Sequence, residues 1–314
     1  MFAVLQIESI KMMMEDIVKR TRFYLVTVFL LLSLPLLKGC ISWEPGWKQA
    51  SQAEVKGDAA ALLVKAKTLE KDADSAEKVG QLVAALEDVI AVDPGNYEAL
   101  NMLASNCMLI AYGYSQDTDD KEKYYMKAIG YSERGLYLNK DFRALVDKGE
   151  KTWEASRVLT KKEMYALYFW YLALGNWWTE CLSAPAKLVN LAWPGRVKTV
   201  LENMTKIDPD FRRGCIDFSW GAYYAILPGY MGGDIDKADE YFNKALKTGP
   251  RMTQFWTGRA RYLQTKKKDR QAFIADLERA KSIDPRNADE LEYPWAVYHV
   301  ANAKEMLADV DRYF

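Results

Sequence analysis

The chain has 314 residues, half of them apolar, with 43 basic and 43 acidic side chains and one histidine. That balance leaves no strong field of either sign, which argues against a nucleic-acid partner. A single histidine rules out a two-histidine metal motif, and four cysteines with no CxxC pair argue against a thiolate metal site, so no metal or other cofactor is expected.

In chain order, Lys19, Arg20 and Arg22 precede an apolar run, Phe23 to Leu37, which Lys38, Gly39 and Cys40 close. The run is about fifteen residues long, short for a bilayer span. A basic start, a short apolar stretch and a small residue before a cysteine make a lipoprotein export signal. Residues 1–39 are therefore expected to be removed and Cys40 to carry the lipid. An uncleaved anchor is the alternative. Lys38 departs from the usual pattern, and Met12, Met13 or Met14 are alternative starts. Ile41 and Ser42 put no aspartate at the second mature position, which favours the outer membrane, facing the periplasm. Residues 40–58 read as a lipidated tether and 59–314 as one helical repeat domain.

From Asp58 onward no apolar alternation of period two is evident, and helical spacing runs nearly to the end. One phrase recurs. Leu86-Glu87 leads to Val92-Asp93-Pro94, Leu201-Glu202 to Ile207-Asp208-Pro209, and Leu277-Glu278 to Ile283-Asp284-Pro285; Tyr241 to Pro250 is a looser copy. Pro250 and Pro285 are 35 positions apart. A period in the mid-thirties fits tetratricopeptide-like helix pairs, each proline ending a helix. Asn96 and Asp234 are candidate N-caps. Behind them run the stripes Tyr97, Leu100, Ala104, Cys107, Met108, Ala111 and Ala238, Tyr241, Phe242, Ala245, Leu246. Such pairs share a continuous core when stacked. The fold class is thus all-α: four to five tetratricopeptide-like helix pairs, an α-solenoid wrapped around a central aromatic helix.

That helix is Met164 to Trp178, which has no charged face. Its aromatics read first as core packing. The second reading is a cavity lining for a small organic ligand, with Trp170, Tyr171, Trp177 and Trp178 as candidates. Tyr223, Tyr224 and Tyr230 join them, because Trp220 to Asp234 ends in Pro228-Gly229 and Gly232-Gly233, a tight turn suited to a pocket mouth. Cys107, Cys181 and Cys215 read as buried small hydrophobes, with one disulfide plus a spare thiol as the runner-up. His299 falls on the packing face or the surface of the last helix. Asp217-x-Ser219-x-Gly221 lacks the first glycine and the preceding strand of a nucleophile elbow, and no other catalytic set is found, so no enzyme is expected.

These segments resemble the T-component proteins of tripartite ATP-independent periplasmic (TRAP) transporters. The resemblance covers most of the mature chain. It rests on Cys40, the Tyr165 to Trp178 helix, Trp193-Pro194-Gly195-Arg196 with Ile207-Asp208-Pro209-Asp210-Phe211, Gly221-Ala222-Tyr223-Tyr224, Gly232-Gly233-Asp234 with Lys237-Ala238 and Tyr241-Phe242, and Ala303 to Ala308. It implies a lipid-anchored, non-catalytic periplasmic protein that docks the solute-binding component and holds or passes a small ligand, with a homotrimer as one assembly. Arg196, Arg212, Arg213, Arg259 and Arg261 are the candidate partner-surface charges, with solvated helix faces as their simpler reading. The rival function is a tetratricopeptide scaffold for outer-membrane or envelope assembly, which predicts a solid core around Trp170 and no pocket.

Overall fold

The structure, a computed structural model, describes residues 42–49, 56–290 and 292–314. Cys40 and the export signal lie outside the described residues. Every regular element among the described residues is helical, with no strand, so the all-α class holds. None of these helices is long and apolar enough to cross a membrane.

The chain divides into two units. The smaller contains residues 182–191, with the short helix Ala184–Val189. The larger, residues 44–181 and 192–314, contains the rest. In the larger unit α1 (Ala59–Glu70) packs on α2 (Ala76–Val92), α2 on α3 (Tyr97–Leu109), and α3 on α4 (Thr118–Tyr137). A short α5 (Lys140–Val146) leads to α6 (Met164–Glu180), which packs on α4, on α3 and on α7 (Trp193–Ile207). Then α8 (Cys215–Ile226) pairs with α9 (Ile235–Thr248), and α10 (Thr253–Arg259) sits against α11 (Arg270–Lys281) and α12 (Tyr293–Ala308). Neighbours in sequence pair in space.

The local signals act as expected. The Asn96 carboxamide accepts the Ala99 N–H, and the Asp234 carboxylate accepts those of Asp236 and Lys237. Helices α2 and α7 are C-capped by Asp93 and Asp208, each followed by proline. Leu100, Ala104, Cys107, Met108 and Ala111 are buried, as are Ala238, Phe242, Ala245 and Leu246. Helix α6 buries ten of its residues, from Met164 to Trp177. Cys107 and Cys215 are buried, and burial pushes both thiols up to about 12. No disulfide joins Cys107, Cys181 and Cys215, which removes the cross-linked alternative.

Part of the presumed tether is docked. Trp47 stacks on Tyr137 at 5.2 Å and meets the edge of Phe142 at 6.1 Å. Gly46 is buried against Gly130, so closely that a Cβ would lie 2.0 Å from the Gly130 carbonyl oxygen. The Gly46 N–H donates to Glu133 Oε2 at 2.7 Å. The chain is therefore fixed to α4 and α5 at Gly46–Lys48 and is not a free tether along all of 40–58.

Candidate functional site

An aromatic cavity lies under α6. Its cavity volume is about 110 Å³, within about 920 Å³ of empty space that runs out into solvent. That smaller figure is room for several waters or one small organic molecule. Tyr171, Gly175 and Trp178 form one side on α6, Trp193 and Val197 another on α7, and Phe218 and Tyr223 a third on α8. Helices α10 and α12 supply Gln254, Gly258, Trp295 and His299. Gly258 is needed where it stands: a Cβ would come within 2.4 Å of the Phe218 ring.

The α6 aromatics divide by face. Residues seven apart lie within about 20° of each other on a helix. Tyr171 and Trp178 form one such pair and both line the cavity. Trp170 and Trp177 form the other and face α4, where their indoles donate to Glu133 and Glu122 at 3.2 and 3.1 Å. Those two are core residues, not pocket residues. Tyr223 lines the cavity as expected, and Tyr224 does not. Tyr224 packs with Trp220 (5.6 Å) and Tyr241 (5.8 Å), which also meet each other at 6.0 Å, in a three-ring cluster. Tyr230 is 85% exposed and no part of the cavity wall.

Two wall residues come from a feature that the sequence hides. After α3 the chain makes a π-helical turn at Ile110–Tyr114, and after α10 another at Ala260–Gln264. Such turns concentrate at functional sites. They bring Tyr112 and Tyr262 to the cavity, hydroxyl to hydroxyl at 3.3 Å. Arg261 donates to the Tyr112 hydroxyl at 3.0 Å and to Asn302 at 2.8 Å. It therefore belongs to this inner network and not to a surface rim. Arg259 is also internal, paired with the buried Asp276. Arg196 packs against both the Trp153 and Trp193 rings, 4.5 Å from each. Only Arg212 and Arg213 stand exposed as expected, on consecutive left-handed residues, with Arg213 bonded to Asp289.

A polar strap holds the helices that close the cavity. Asp289 accepts from Arg213 and Arg251 at 2.9 and 2.8 Å. Glu290 accepts from the Thr253 hydroxyl and the Gln254 N–H at the start of α10. Glu292 accepts from Ser105, Asn106 and Tyr165 just before α12. Burial pushes Glu290 up to about 7 against the pull of its hydrogen bonds, and its Oε2 has no partner among the described residues. A carboxyl raised in the folded state stabilises most below its unfolded value, near 4.5, and loses that contribution as pH rises to about 7. Glu290→Gln is therefore expected to match the wild type at pH 5 and exceed it by about 1–2 kcal/mol at pH 8, part of the residue remaining in water. Urea unfolding at the two pH values measures this; equal stability at pH 8 would show that the carboxylate is solvated.

His299 sits 2% exposed on α12, and burial, with the Arg261 charge behind it, holds it down to about 3. Among the described residues no group of three histidine, cysteine or acidic side chains is placed to hold a metal.

No curated protein matches the chain. The family model described as TRAP transporter T-component matches residues 76–314, the stretch holding every wall of the cavity and most of the helical body. The chain belongs to the TRAP transporter T-component family, the accessory component of a TRAP transport system.

Proposed function

We propose that the protein is a lipid-anchored, non-catalytic subunit of a TRAP uptake system. Cys40 carries the lipid, the outer membrane is the site of attachment, and the body faces the periplasm. Its helix pairs stack as tetratricopeptide-like repeats, it docks the solute-binding protein, and the aromatic cavity holds a small organic ligand. The observation that carries this reading is an apolar cavity within the stretch that matches the family. The envelope-scaffold alternative predicts no pocket; Trp170 is solidly packed, but the neighbouring face of the same helix borders open space. We assign the docking surface to the face bearing the exposed Arg212 and Arg213.

Affinity purification of the full-length protein from membranes tests the reading. The expected result is co-purification of the cognate solute-binding protein, lost when Arg212 and Arg213 are both changed to Glu. Cys40→Ala is expected to move the protein to the soluble fraction and abolish palmitate incorporation. Absence of any solute-binding protein while the transporter is expressed would overturn the docking assignment.

A further inference from the structure

We propose that the docked segment Gly46–Lys48 sets which face of the protein lies on the membrane, and that this face is the corner where α4 meets α5, held against the phospholipid headgroups of the leaflet that carries the anchor. This rests on the reading that Cys40 is lipidated.

Chain length carries the argument. An extended chain spans at most about 3.5 Å per residue. As a free tether, residues 40–58 would reach about 60 Å. A compact body of this length has a radius of gyration of about 18 Å, so a free tether of that reach would let any side of it meet the bilayer. Docking at Gly46 leaves only the stretch from Cys40 to Gly46 to pay out, about 20 Å. That reach does not pass round the body, and the side bearing Gly46 stays towards the lipid.

The dock is built to hold. Gly46 is buried against Gly130 with no room for a Cβ, and its N–H donates to Glu133. Trp47 is stacked on Tyr137 and meets the edge of Phe142. Gln49 Nε2 donates to the Glu44 carbonyl and closes the segment on itself. Glu133 also accepts from the Trp170 indole, so the dock is tied to the core helix α6 and not to a surface side chain. Glu44, just upstream, is exposed where the chain leaves the body.

The surface around the dock fits headgroups. Residues 138–141 lie between the two rings that Trp47 touches, and with Tyr97, Lys162 and Glu163 they border a polar groove of about 310 Å³. Leu138 is 41% exposed there. The exposed charges beside the dock are Lys48, Lys140 and Lys162 against Glu44 and Asp141. They nearly cancel, so attraction to an anionic surface does not choose this face. The short chain chooses it, and the mixed signs match the phosphate and ammonium of zwitterionic headgroups.

The test uses the full-length lipidated protein in phosphatidylcholine nanodiscs that contain a nickel-chelating lipid. A spin label is attached through a ketone-bearing unnatural residue, which leaves the cysteines untouched, at Ala144 on α5 or at Ala275 on α11. Both positions are exposed. Helix α11 is joined to α5 through α12, α3 and α4. The expected result is strong nickel relaxation at Ala144 and weak relaxation at Ala275. Inserting about twenty Gly/Ser residues after Ser42 adds about 70 Å of reach without touching the body, and is expected to abolish that difference. Gly46→Val, which cannot seat against Gly130, is expected to abolish it as well. Equal relaxation at the two positions in the lipidated wild type, or a difference that survives the insertion, would overturn this proposal and leave the anchor intact. A label at Ala144 shielded from both the nickel lipid and a soluble nickel complex would mean that a second copy covers the corner, and would overturn it too. A protein whose Cys40 carries no lipid by mass spectrometry would overturn the anchor reading itself, and this proposal with it.

Discussion

Trp170→Ala is expected to destabilise the protein by about 3–5 kcal/mol. The indole is fully buried in α6 against α4, so truncation leaves a cavity in a close-packed centre. The change also removes a donor. Trp170 Nε1 donates to Glu133 Oε1, and Glu133 is 1% exposed, its other oxygen accepting the Gly46 N–H. Losing one donor to a buried carboxylate adds its own cost of about 1–3 kcal/mol. Trp170→Phe separates the two effects, because it keeps most of the volume and loses the N–H. Urea unfolding followed by circular dichroism should rank wild type above Phe above Ala. If Phe is as stable as wild type, the Glu133 bond contributes nothing net and packing alone explains the alanine result. Because Glu133 also anchors Gly46, the Phe variant is further expected to expose Trp47, read as a red-shifted emission before global unfolding.

This linkage shows what the chain made legible and what it hid. The helices were readable because each signal acts within a turn or two: Asn96 and Asp234 cap, the prolines after Asp93 and Asp208 stop, and the stripes are buried except at the half-buried Tyr97 and Tyr241. The aromatic helix was readable as a buried element for the same reason. Which of its faces borders space was not. Trp170 and Tyr171 are adjacent and chemically alike to a sequence reader, and only the placement of α4 makes one a core residue and the other a wall. The tyrosine pair of the cavity wall was hidden more deeply. Tyr112 and Tyr262 reach the cavity through π-helical turns, whose longer register answers to tertiary contacts and leaves no residue signature. His299 finds Thr257 42 positions away. The arginines fail for a related reason: net charge says nothing of burial, and Arg259 and Arg261 carry long stems that let a guanidinium reach inward.

Arg259 supplies the second large effect. Its Nε donates to Asp276 Oδ2 at 2.9 Å and its Nη2 to Oδ1, a two-point grip on a side chain 3% exposed. Gln264 Nε2 adds a third donor to Asp276 at 3.3 Å, and Arg259 Nη1 donates to Asn243 Oδ1 at 2.7 Å. One guanidinium therefore joins α9, α10 and α11, the scaffold behind the wall that carries Gly258. Asp276→Ala leaves that guanidinium, 17% exposed, without its counter-charge, and is expected to cost about 3–5 kcal/mol. The pair itself is another matter, since desolvating two charges offsets most of their attraction. Arg259→Met with Asp276→Leu replaces both charges by apolar groups of similar size and is expected to recover most of the loss. Thermal unfolding of the single and double variants decides it. A double variant as unstable as Asp276→Ala would mean that the three-helix junction depends on the hydrogen bonds themselves, with Gln264 and Asn243 unable to hold it alone.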